Sequence, residues 1–108
     1  MDFITLNALT QLNELKEKSF NKLQVIFKHS TRCPISKMAL SRIDRATEIA
    51  TADYYLLKVI EDRPVSNAVA ETFNVQHQSP QILLIKNGSC IFTESQNAIS
   101  MEDIIEQQ

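Results

Sequence analysis

Two apolar runs set the strongest limit on how this chain can fold. Leu23-Gln-Val-Ile-Phe-Lys28 and Tyr54-Tyr55-Leu56-Leu57-Lys58-Val59-Ile60 flank a long amphipathic segment. The second run is nearly continuous in apolar residues, the pattern of a strand buried on both faces of a parallel sheet. From Pro34 to about Ala50, Ile35, Ala39, Ile43, Ala46 and Ala50 share one face of a helical pattern, while Lys37, Ser41, Arg45 and Glu48 share the other. Strand, helix, strand in that order forms a right-handed crossover with the two strands parallel.

The remaining punctuation extends this unit. Leu6, Leu9, Leu12 and Leu15 recur at helical spacing, which predicts a helix over 6–18. Pro64 opens a third helix with Val65, Val69 and Phe73 inward, and Asn74 is placed to end it in the left-handed conformation. Gln81–Lys86 reads as a strand. Asn87-Gly88, which holds the single glycine, is a hairpin signal, and Ser89–Thr93 is the return strand. Ser100-Met-Glu-Asp103 predicts a capped last helix. Helices alternate with strands and the chain closes on a hairpin, so the expected fold is α/β, a four-stranded mixed sheet between helical layers. At 108 residues the chain is one domain, 1–108.

Cys33 is the residue with the clearest chemical promise. It stands in Thr31-Arg32-Cys33-Pro34-Ile35-Ser36, where the first strand gives way to a helix. Unpaired N–H groups and the positive end of the helix dipole meet there, and both favour thiolate, the nucleophile, over thiol. Pro34 suits the first helical position, where its missing N–H costs nothing. Ser36 occupies the place of a second cysteine in a dithiol motif, so Cys-x-x-Ser keeps the attacking sulfur and lacks the resolving one. Ser36 has two readings: a hydroxyl that supports the Cys33 sulfur, or a polar residue of the first helical turn. A buried, inert Cys33 is the plain alternative to a reactive one.

Composition narrows the function. A net charge of −2 offers nothing that points to nucleic acid. No segment has the length of apolar sequence that spans a membrane, and Met-Asp-Phe-Ile-Thr does not begin a signal peptide. Two cysteines without a disulfide framework suit a reducing compartment, so a cytoplasmic location is expected. His29 and His77 have no short ligand spacing to Cys33 or Cys90, and no metal site is expected. Nor is there the orienting group that a Cys–His hydrolase needs.

The order of elements, Cys33-Pro34-Ile35-Ser36 at the first strand-to-helix junction and Ser79-Pro80 before the third strand resemble the thioredoxin fold over nearly the whole chain. Within that superfamily the chain resembles the monothiol bacilliredoxins, thioredoxin-like proteins of the bacillithiol system. The matching residues are Lys28-His29-Ser30, Cys33-Pro34-Ile35-Ser36, Arg63 with Ser66, and Val75-Gln76-His77-Gln78-Ser79-Pro80-Gln81. The resemblance implies a single thioredoxin-like domain of three layers and an enzyme that removes bacillithiol from client proteins. Cys33 would be catalytic, supported by Thr31, Arg32, Pro34, Ile35 and Ser36. Ser79 and a cis Pro80 would face the client, and Arg63 would meet the carboxylates of the malate moiety of bacillithiol. It implies no bound cofactor, with bacillithiol as thiol co-substrate. Gln78 departs from the family's glutamate, and Ser95-Gln96-Asn97 lacks the histidine that relatives carry after the last strand. The alternatives are a general or glutathione-type monothiol reductase and a thioredoxin-like binding module without catalysis. Cys90 is expected at the far end of the sheet from Cys33, unable to act as its resolving partner.

Overall fold

The computed structural model describes residues 1–108 as a mixed sheet with helices on both faces. The elements are β1 (Ile4–Thr5), α1 (Thr10–Lys18), β2 (Leu23–His29), α2 (Pro34–Asp44), β3 (Ala52–Lys58), α3 (Arg63–Phe73), β4 (Gln81–Lys86), β5 (Ser89–Ser95) and α4 (Met101–Gln107), with a short 3₁₀ turn at Gln96–Ala98. The sheet has five strands in the order β1-β3-β2-β4-β5. β2 and β3 are parallel, as the crossover requires, whereas β4 is antiparallel to β2 and β5 to β4.

The expected four strands become five because β1 adds itself to the edge beside β3. The pairing continues one residue past the strand, where Leu6 N–H donates to the Leu56 carbonyl at 2.9 Å. That edge also delays α1, which begins at Thr10 and not at residue 6. Leu6 is buried as part of the extended segment, and the Gln11 side chain accepts from the Asn7 and Ala8 N–H groups, both at 2.9 Å. Leu9 consequently falls outside the buried stripe and is exposed.

The second helix ends at Asp44, short of Ala50. Ala50 is buried in the layer of Val25, Phe27 and Met101, away from the α2 path, and its carbonyl accepts the Tyr54 hydroxyl at 2.7 Å. β3 correspondingly starts at Ala52 and ends at Lys58, in register with Leu23 through His29.

Two apolar layers enclose the sheet. Val25, Phe27, Tyr54, Ile82 and Leu84 pack with Ala39 and Ile43 of α2 and with Met101 and Ile104 of α4. Ile26, Tyr55, Leu57, Leu83 and Ile85 pack with Leu12 and Leu15 of α1 and with Val65, Val69 and Phe73 of α3. The strict alternation of β2 between the layers follows from the two-residue period of a strand.

The chain reversals obey their sequence signals. Asn74 ends α3 at φ 53°. Asn87 and Gly88 both have positive φ, 53° and 79°, as a two-residue hairpin with right-handed twist demands. A side chain at Gly88 would meet Phe20 at 2.9 Å as well as the unfavourable φ. Ser100 caps α4 by accepting the Asp103 N–H.

Candidate active site at the carboxyl edge of the parallel strands

Three loops meet at one edge of the sheet. β2 and β3 end there together, His29 opposite Lys58, and β4 begins there, Gln81 opposite Lys28. The edge therefore gathers residues 30–33, the β3–α3 turn and the 74–80 segment, at the carboxyl ends of parallel strands where α/β sheets place their sites. The Val59 N–H donates to the His29 carbonyl at 2.9 Å and ties two of these loops together.

Cys33 is the N-cap of α2, extended at φ −104° and ψ 118°, and its side chain makes no capping bond. Pro34 is the first helical residue, and the Cys33 carbonyl accepts the Lys37 N–H at 3.1 Å. The thiol is half-buried and unbridged. A half-buried thiol at this position remains open to a reacting disulfide.

Ser36 turns inward from the first turn of α2. It is wholly buried (0% exposed), with Oγ accepting the Ser30 N–H at 2.9 Å and 2.7 Å from His29 Nδ1. Burial holds the His29 pKa below its ordinary value, partly offset by Glu61 and reinforced by Lys37 and Lys58. The 2.7 Å contact joins His29 Nδ1 to Ser36 Oγ, and either group donates according to the tautomer of the neutral ring. Ser36 is thus a staple that joins the end of β2, the start of the loop and the first turn of α2. The inward position that Ile35 was expected to fill belongs to Ser36, and Ile35 is 39% exposed beside the thiol.

Thr31 donates to Glu61 at 3.4 Å across the loops, and Arg32 is exposed. The Ser79–Pro80 bond is cis, Pro80 is buried, and the Ser79 hydroxyl is shielded from solvent without a partner. Pro80 holds the 3₁₀ turn through its carbonyl, which accepts the Gln96 N–H at 3.1 Å. Gln96, at φ 58°, also donates Nε2 to the Ser79 carbonyl at 3.0 Å. The Ser79 backbone expected to meet a client therefore has one lone pair of its carbonyl already engaged.

Arg63 opens α3 at the same edge, exposed, with Nε donating to the Val59 carbonyl at 3.2 Å. Lys28, His77 and Ser66 also converge here: Lys28 Nζ lies 3.1 Å from His77 Nδ1 and 3.2 Å from the Ser66 carbonyl. These residues carried the family resemblance without a role of their own. Their sequence signal is Lys28, a charged residue at an inward position of a strand buried along its whole length.

Cys90 is half-buried at the opposite end, paired with Ile85, which in turn pairs with Gln24 near the start of β2. Burial raises its thiol pKa. No group of three or more His, Cys, Asp or Glu side chains is arranged to hold a metal ion, and no helix is long and apolar enough to cross a membrane.

Comparison with known proteins agrees with this geometry. Residues 4–104 match the family described as monothiol bacilliredoxin BrxC. A candidate oxidoreductase with a thioredoxin fold superposes with a TM-score of 0.79 at 29% identity, over 95% of this chain and 90% of that one. Thioredoxin from Schistosoma mansoni gives 0.75 at 24% identity over 99% and 98% of the two chains. Malassezia sympodialis thioredoxin gives 0.77 at 18% over 98% and 90%. At these lower identities the thioredoxins speak for the fold alone.

Proposed function

The chain belongs to the monothiol bacilliredoxin family and is a thiol–disulfide oxidoreductase; from that premise we propose that it removes bacillithiol from protein mixed disulfides through Cys33. The observation that carries this reading is the pairing of an accessible N-cap thiol with a buried, fully engaged Ser36 where a resolving sulfur would stand.

The Cys33 thiolate attacks the bacillithiol sulfur of the client mixed disulfide. The client leaves as a thiolate, takes a proton and becomes a free thiol, while a disulfide joins bacillithiol to Cys33. A second small thiol, as its thiolate, then attacks the bacillithiol sulfur and departs with it as a disulfide, returning Cys33 to the reduced state. No internal thiol competes for the intermediate, so exchange with an external thiol is the only exit. Such exchange is fastest when the attacking thiol titrates near ambient pH. A bidentate contact of Arg63 with the bacillithiol carboxylates would orient the small thiol. A half-buried Ser79 beside Pro80 gives an extended client segment a backbone to pair with. A reducing cytoplasm is the setting in which this chemistry operates.

The test is a bacillithiolated client protein. Mixing should release client thiol and leave bacillithiol on the Cys33 peptide by mass spectrometry. Equal turnover of the glutathionylated client would replace bacillithiol with small thiols in general. Absence of any adduct on Cys33 would reject the reading.

A further inference from the structure

On the α3 face of the same edge, three basic side chains gather without an acidic partner. The Lys28 ammonium is completely withdrawn from water (0% exposed). It donates to the Ser66 carbonyl at 3.2 Å and to His77 Nδ1 at 3.1 Å. Arg63 spends only Nε on the protein, and its terminal nitrogens have no partner. Its charge and that of Lys28 both oppose protonation of His77, whose pKa is lowered first by burial. The ion pairs of the protein, Met1 amino group with Asp44 and Lys22 with Asp53, lie elsewhere. Burying an ammonium without a counter-charge is costly. An apolar residue would fill this inward position as Ile26 does one turn of the alternation earlier, so stability alone does not account for Lys28.

The geometry also fixes which way His77 faces. An ammonium has no lone pair and only donates, so Nδ1 of His77 accepts. The ring proton then resides on Nε2, and His77 itself is exposed. A donor held in a defined direction, a free guanidinium and a fixed positive charge behind them are the elements of an anion site.

We propose that His77 Nε2–H and the Arg63 guanidinium, backed by the buried Lys28 ammonium, form a carboxylate-binding site for the acid groups of the small thiol. This rests on the reading that Cys33 exchanges with an acidic low-molecular-weight thiol. Arg63 and His77 touch the carboxylates; Lys28 is a positioning residue that holds the His77 ring and supplies unscreened positive potential. Specificity for the thiol thus comes from α3 and the 74–80 segment, while the α2 side supplies the sulfur.

One peptide carrying bacillithiol or cysteamine as its mixed disulfide tests this, with wild type, His77→Ala and Lys28→Met compared. Loss of a charged hydrogen bond should lower kcat/KM for the bacillithiol substrate about 10- to 100-fold, through KM, and leave cysteamine nearly unchanged. In parallel, L-malate titrated into 15N-labelled protein should move the side-chain resonance of His77 Nε2 and not that of His29, and Lys28→Met should weaken that response. Equal losses on both substrates, or no loss on either, overturn the site, as does a His77 resonance that malate leaves in place. A wild type inert towards both mixed disulfides would instead reject the proposed exchange, and the malate titration then decides the anion site by itself.

Discussion

Lys28 and His29 are neighbours in one strand, both basic and both buried, yet they live in opposite electrostatic circumstances. His29 turns to the α2 face and closes a satisfied network with Ser36 and Ser30. Lys28 turns to the α3 face and finds acceptors but no counter-charge. A satisfied polar network is an instrument of position: it fixes the loop that carries Cys33. An uncompensated buried charge is an instrument of attraction, kept at the expense of stability. Substitutions on the two faces should therefore change stability in opposite directions.

The largest effect lies at the atom both faces serve. Cys33→Ser should abolish exchange on every mixed disulfide and leave the unfolding midpoint near that of wild type, because the thiol makes no capping bond. Residual turnover in that variant would dissociate both faces from catalysis.

Next comes the satisfied side. Ser36→Ala strands the Ser30 N–H and His29 Nδ1 in a buried setting, at a cost of about 1–3 kcal/mol. Urea unfolding should show the loss, and alkylation of Cys33 by iodoacetamide should change in rate as the loop loosens. Unchanged stability would mean that the staple carries no weight.

The opposite sign is expected at Lys28. Burial lowers its pKa from 10.5 to about 8, so below that pH the folded state bears the full cost of the buried charge. Lys28→Met removes that cost and is expected to raise stability at pH 7, as replacing buried charge with apolar side chains of similar volume often does. Between about pH 8 and 10.5 the folded protein sheds this proton before the unfolded chain does. Wild-type stability gains from that difference as pH rises, because the unfolded state binds more protons. The advantage of Lys28→Met should then be largest below pH 8 and shrink towards pH 10.5 in denaturation curves. A Lys28→Met protein that is less stable than wild type at pH 7 would contradict the contrast between the faces.

Cys90 supplies the smallest change, as a control outside both networks. Cys90→Ala should retain turnover and cost about 1 kcal/mol or less for a half-buried side chain. Peptide mapping after brief alkylation should find Cys33 labelled before Cys90, whose thiol is held protonated by burial. A Cys33–Cys90 disulfide in oxidised protein would overturn the sheet topology itself.

Much of this was readable from residues in order. Spacing and turn chemistry specify β2, β4, the Asn87-Gly88 hairpin, the Asn74 terminator and the Ser100 cap, because each depends on contacts within a few residues. The Cys33-Pro34 junction is local in the same sense: an N-cap followed by Pro at the first helical position. What escaped such reading were β1, whose two residues gain order only by pairing with β3, and the end of α2, where packing of Ala50 into the layer shared with α4 overrules a helical pattern.

The site divides along the same line. The chain order by itself determines the candidate nucleophile, the absence of a second cysteine three residues on and the sheet edge at which they stand. Only the folded molecule decides that Ser36 grips His29 and Ser30, that Gln96 reaches the Ser79 carbonyl, and that Lys28 meets His77 across 49 positions of sequence. The physical reason is range. A helix cap or a turn is fixed by neighbours that are always near, whereas a hydrogen bond between distant residues exists only once packing of the two apolar layers has brought the three loops to one edge.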